Sequence, residues 1–291
     1  MKNKRIKIAL SAFVIAVVAV SACALLVRFF PEISSGIAAL TGQKDKKPTL
    51  EIADAASLGV KTYTFEELEN ADNVKFDSSL MLVNKEFKLS KDFVPELTDI
   101  NNSGVNLDKN FAAAYLELKK AVKDNCDDNL YIMSSFRTAE EQKKIKREEG
   151  DTAAEVGASE HQTGLAADVY VMYYAGAGFI DSEAGKFVNK NCKDYGFIIR
   201  YPDYGVNSTG IGYEPWHLRF VGLPHADIIM SQKLTLEQYV EGLKKDVLYV
   251  YGEYIITRTD GKDGFTLPLS FVSCTVSPDN TGMYICTVKT K

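Results

Sequence analysis

The sequence predicts an α+β domain hung on a membrane-spanning N-terminal helix and followed by a small β appendage. Three observations carry that expectation. An uncharged apolar run lies near the amino terminus, capped helices and short strands mix through the middle, and the C-terminal stretch alternates β-branched and aromatic residues with turn signals. The expected divisions are 1–30 for cytoplasmic tip and anchor, 31–77 for a stalk, 78–245 for the main domain and 246–291 for the appendage. With 291 residues, 46% hydrophobic and 25% charged, the chain holds enough apolar material for one good core. Nothing in that composition suggests a disordered or fibrous chain. A net charge of −5 offers no basic surface to neutralise phosphates, so no nucleic-acid partner is expected.

The elements follow in order. Lys2, Lys4, Arg5 and Lys7 precede the uncharged span from Ile8 to Val27, close to the ~20 residues that cross a bilayer as a helix. The basic flank puts the amino terminus in the cytoplasm and everything after Arg28 outside. A second reading stays open, because Val20-Ser21-Ala22-Cys23 resembles the lipobox of bacterial lipoproteins, cut and acylated at the cysteine. Ala24 to Val27 prolong the apolar run past Cys23, which favours the uncleaved helix. Both readings tether the chain at the outer face of a membrane. The region from Pro31 to Phe76 lacks sustained apolar periodicity and reads as a stalk, with a capping box at Thr64 and Glu67 that starts a short helix.

Asp108 or Asn110 caps a helix whose Phe111, Tyr115, Leu118 and Val122 form one buried stripe. Leu130 to Phe136 reads as a strand. Thr138 and Glu141 open a charged helix that Gly150 ends. A further helix is expected around Ala184 to Tyr195, a strand in YGFIIRYP, and a helix capped by Thr235 and Gln238. The strands of the appendage surround a DGKDG turn and an SPDNTG turn. Cys126, Cys192, Cys274 and Cys286 lie beyond the anchor, an even number where disulfides persist, and Cys274 and Cys286 flank one turn as the expected pair. Cys126 and Cys192 read as buried thiols.

Two short strings stand apart from this pattern. SEHQTGLAAD, Ser159 to Asp168, and EPWH, Glu214 to His217, contain two of the three histidines of the chain. A single buried histidine is usually a satisfied core residue. Two histidines and an aspartate in Gly- or Pro-bearing contexts also suit a cation such as zinc, with a fourth position left for water. Glu214, three residues before His217, would then stand ready to take a proton from that water. Spacing alone leaves both readings open.

The strings do more than suggest a metal. SEHQTGLAAD matches an S-x-H-x-x-G-x-A-x-D signature and YEPWHLRFVG an E-x-W-H signature, and VNKEFKL, SSFRTAEEQ and YGFIIRYP occur around them in the same order. In these motifs, over residues 78 to 245, the chain resembles the VanY-like D-alanyl-D-alanine carboxypeptidases, zinc peptidases that trim peptidoglycan stem peptides. The resemblance implies a peptidase domain with a small antiparallel sheet and flanking helices. It implies Zn2+ held by His161, Asp168 and His217, with Glu214 as general base and then acid. It implies that Arg137 binds substrate and stabilises the oxyanion, a task suited to a permanently charged two-donor fork. The alternative for Arg137 is a surface pair with Glu140 or Glu141. Ser159 is implied to contact substrate, with a turn residue as the equal alternative. Gly164 and Ala166 are expected to allow close packing, Trp216 to pack behind His217, and His225 to be a solvated loop residue. The implied partners are peptidoglycan stem peptides and, through the anchor, the membrane. Two other functions stay in view: an L,D-carboxypeptidase acting on tetrapeptides, and a catalytically idle wall-binding or sensory module.

Overall fold

Helix starts follow the capping chemistry of the sequence in a computed structural model that describes residues 49–291. Thr64, Thr138 and Thr235 each accept from the backbone N–H three residues on, and Glu67, Glu141 and Gln238 return the bond to the cap. These reciprocal boxes open the helices Phe65–Glu69, Ala139–Glu149 and Leu236–Gly242. Asp108 caps Lys109–Cys126 by accepting from the N–H groups of Asn110 and Phe111. The stripe Phe111, Tyr115, Leu118 and Val122 is buried as expected, packed in one core with Val169, Phe197 and Leu218.

That helix backs a four-stranded sheet, antiparallel throughout. The strands lie in the order Tyr131–Ser134, Ala166–Tyr170, His217–Phe220, Phe197–Ile199. Both short strings therefore run into neighbouring strands. Asp168 pairs in register with Ser134 on one side and with His217 on the other. The strands Ala166–Tyr170 and His217–Phe220 and the helix His225–Ser231 add to the elements read from sequence.

A second, six-stranded sheet is built from both ends of the described chain. Its order is Glu51–Ile52, Leu248–Tyr251, Tyr254–Thr259, Tyr284–Lys289, Ser273–Pro278, Val74–Phe76, and Val60–Tyr63 pairs separately with Phe265–Pro268. The stalk expectation is thus corrected for residues 51–76, which are strands and short helices here. Leu68 is buried among Leu248, Ile255, Phe265 and Val276. Another core joins Ile198, Val221 and Ile229 to Tyr249, Ile256 and Ile285, so the β part shares its interior with the peptidase part and residues 49–291 make one compact unit.

Two further expectations are corrected. Cys274 and Cys286 are free thiols. Cys274 stands opposite Val288 and Cys286 opposite Val276, so the two are diagonal neighbours, about 7–8 Å apart in such ladders and too far for a disulfide. His225 is buried, with Nδ1 at 2.6 Å from the Tyr239 hydroxyl and Nε2 at 2.7 Å from Thr287 Oγ1. It ties its helix to the C-terminal sheet. The expected membrane helix lies outside the described residues, and among the described residues no helix is long and apolar enough to cross a membrane.

Candidate active site

Asp168 is the hub. Its Oδ1 lies 3.1 Å from His217 Nδ1 and its Oδ2 lies 3.4 Å from His161 Nε2. His161 sits on the single turn Glu160–Thr163, which ends at Gly164 with φ of 74°. A side chain at Gly164 would strike the Asp108 backbone nitrogen at 2.9 Å, so this glycine lets the turn lie against the strand entering the long helix. The close packing expected of Gly164 is real, and its partner is the Leu107–Asp108 backbone.

Each imidazole is turned by its second nitrogen. His161 Nδ1 lies 2.8 Å from the Ser135 carbonyl and donates to it, which leaves the Nε2 lone pair pointing at Asp168. His217 turns Nδ1 inward. The candidate ligand atoms of His161, Asp168 and His217 all lie within 4.8 Å of one another. Two imidazole nitrogens and a carboxylate oxygen, converging in the cleft, form a donor set that fits zinc with a position to spare, a bound cation taking the place of a proton on His217.

Glu214 stands at the edge of this set, its Oε2 3.6 Å from His217 Nδ1. Its backbone N–H donates to the Tyr201 carbonyl and its own carbonyl accepts from the N–H of His217, so a tight turn fixes the spacing of the EPWH string. Burial pushes the Glu214 carboxyl above its ordinary pKa, Asp168 adds to the rise, and His217 and Arg137 oppose it. Asp168 behaves oppositely: burial would raise it, yet the two histidines hold it well below the carboxylate range. His217 is raised to about 9, with Asp168 and Glu160 outweighing burial.

Arg137 follows the strand Tyr131–Ser134 and enters the same space. Its Nη1 donates to Gln142 Oε1 at 3.0 Å and its Nη2 lies 3.9 Å from Asp168 Oδ2. Arg137, Ser159, His161, Asp168, Glu214 and His217 all line one cleft of about 340 Å3. Trp216 also lines the cleft and packs its other side against the core. Gln142, Glu160 and Tyr201 line it too without having a role in the sequence reading. Their chemistry is ordinary in one dimension, and only the fold brings them to the histidines.

Comparisons with known proteins bear on the family of the chain. A family described as "VanY: D-alanyl-D-alanine carboxypeptidase" matches residues 104–223. The bifunctional D-Ala-D-Ala dipeptidase and D-Ala-D-Ala carboxypeptidase VanXYC of Enterococcus gallinarum is 34% identical over 187 residues, which cover 58% of this chain and 97% of that protein. The chain belongs to the VanY family. Among solved structures, the D,D-dipeptidase VanXYg in complex with a D-Ala-D-Ala phosphinate analogue superposes with a TM-score of 0.64 at 26% identity, covering 73% of this chain and 94% of that one. The LdcB LD-carboxypeptidase superposes with a TM-score of 0.53 at 31% identity, covering 63% of this chain and 99% of that one. The VanY match of residues 104–223 holds all six candidate site residues, and the strands from both ends of the described chain lie outside it.

Proposed function

We propose that this chain is a zinc-dependent D-alanyl-D-alanine carboxypeptidase that removes the terminal D-alanine from peptidoglycan stem peptides. The observation that carries the proposal is the presence of a partly buried carboxylate, Glu214, beside three converging metal donors in a cleft that Arg137 also lines. A binding module needs no proton acceptor at that point. His161, Asp168 and His217 would hold the zinc, which when bound supplies Lewis acidity and lowers the pKa of water.

The residues of the chain do the rest. Glu214, with its proton affinity raised by burial, takes a proton from the attacking water and returns it to the nitrogen of the departing D-alanine. Arg137 presents a charged fork to the substrate and to the oxygen that becomes negative as the penultimate carbonyl is attacked. Gln142 holds one arm of that fork. Ser159, buried at the cleft wall, contacts the substrate backbone. No side chain needs to form a covalent intermediate, so acylating β-lactams should leave activity intact. The apolar span from Ile8 to Val27 is proposed to hold this site at the outer face of the membrane, where stem peptides are. The alternative remains a lipoprotein anchored at Cys23.

Mass spectrometry of purified muropeptides incubated with the full-length chain and zinc tests the reading. Loss of one alanine from pentapeptide is expected. Loss from tetrapeptide alone would make the enzyme an L,D-carboxypeptidase, and no change in either would point to the idle module.

A further inference from the structure

Three charged side chains are buried behind the site and a fourth is half-buried beside them. Glu160, Arg200 and Arg219 are sealed from solvent, and Glu237 closes the cluster. Glu160 Oε1 accepts from Arg200 Nε at 2.7 Å and from Arg219 Nη1 at 2.6 Å. Arg200 is gripped from its other side by both oxygens of Glu237, and Arg219 donates to the carbonyls of Ser79 and Met81. Glu160 is therefore ionised and unable to turn. Its second oxygen, Oε2, has no hydrogen-bond partner, and neither has His217 Nε2. The two buried atoms face each other at 3.8 Å.

Resting on the function proposed above, we propose that Glu160 is a positioning residue that makes His217 a metal ligand through Nδ1. A carboxylate oxygen can only accept, so the ring nitrogen facing it must carry the proton. With a proton kept on Nε2, the position that a cation can take from a proton is Nδ1, the atom turned toward Asp168. Metal-bound histidines commonly donate their second N–H to such a group, and losing that group weakens metal binding by 10–100-fold. At 3.8 Å the two atoms lie beyond hydrogen-bond distance, so the role requires the pair to draw together when a cation is bound. The arginines supply the reason that Glu160 cannot be replaced by its amide. In Glu160→Gln the two guanidinium groups, which only donate, capture the amide oxygen. The NH2 then faces His217 Nε2, which must answer with a lone pair and shift its proton to Nδ1.

The test titrates metal-stripped, full-length wild type and Glu160→Gln with zinc against a competing chelator, with melting temperatures of both metal-free forms. A 10–100-fold weaker zinc affinity in a Glu160→Gln protein that melts near wild type supports the role. Equal affinity in that folded variant overturns it. Wild type that takes up no zinc overturns the metal reading itself, a separate failure. Should Glu160→Gln not fold, 15N-histidine NMR of zinc-loaded wild type decides: a slowly exchanging proton on His217 Nε2 supports the role, whereas metal on Nε2 or a freely exchanging ring proton overturns it.

Discussion

Asp168 and His217 face each other across two antiparallel strands, with Oδ1 of one 3.1 Å from Nδ1 of the other. The register that pairs them is set by strand pairing, and Gly164 lets the turn carrying His161 lie against the Leu107–Asp108 backbone. The ligand set is thus preformed by backbone. His161→Ala and His217→Ala should each lose the roughly one zinc per chain expected of wild type. Elemental analysis of purified variants reads this directly, and a full complement of metal in either would remove that histidine from the set.

Glu214 is tested by an isosteric change. Glu214→Gln keeps the turn through Tyr201, because that bond is made by backbone. Zinc content should stay at the wild-type level while turnover falls by the ~10²–10⁴ of a lost acid–base group. Near-normal turnover in a zinc-loaded variant would move the proton transfer to another residue.

The third histidine links stability to pH. Burial pushes His225 down to about 3, against about 6.5 when unfolded, so between those values the unfolded chain binds a proton that the folded chain refuses. Its contribution to stability is complete above about pH 6.5 and is lost as pH falls toward 3, by up to ~1.4 kcal/mol per unit. His225→Gln keeps polar ends for Tyr239 and Thr287 without titrating. Melting temperature measured from pH 7 to pH 4 should fall more steeply for wild type than for His225→Gln. Parallel curves would show that His225 is not the source.

What could be read from the chain follows the range of the interaction. The capping boxes at Thr64, Thr138 and Thr235 and the stripe from Phe111 to Val122 are local, and they were legible. His161, Asp168, Glu214 and His217 could be singled out as candidates because the first two share one string and the last two another, and the fold brings the two strings together. The strands of residues 51–76 were not, since Val74–Phe76 has weak local pattern and finds its partner only at Cys274–Val276. The same holds for Glu160: nothing near it in sequence announces Arg200 or Arg219. His225 looked like a loop residue beside Pro224, and its two partners come from a later helix and the last strand.

Arg137 separates binding from chemistry. It does not pair with Glu140 or Glu141 among the ion pairs of the described residues, and Glu141 is committed to the cap at Thr138. Instead its guanidinium is largely buried, held by Gln142 on one arm and directed toward Asp168 on the other, with Nε left without a partner. Such a fork can offer two parallel donors to a carboxylate or to a developing oxyanion. Lysine keeps the charge but not the plane, so Arg137→Lys should retain zinc and melt near wild type. Its cleavage of stem pentapeptide should fall by the ~10²–10³ that the loss of one preorganised donor costs. Zinc content, melting temperature and cleavage measured side by side give the answer, and cleavage close to wild type would leave Arg137 with only its bond to Gln142.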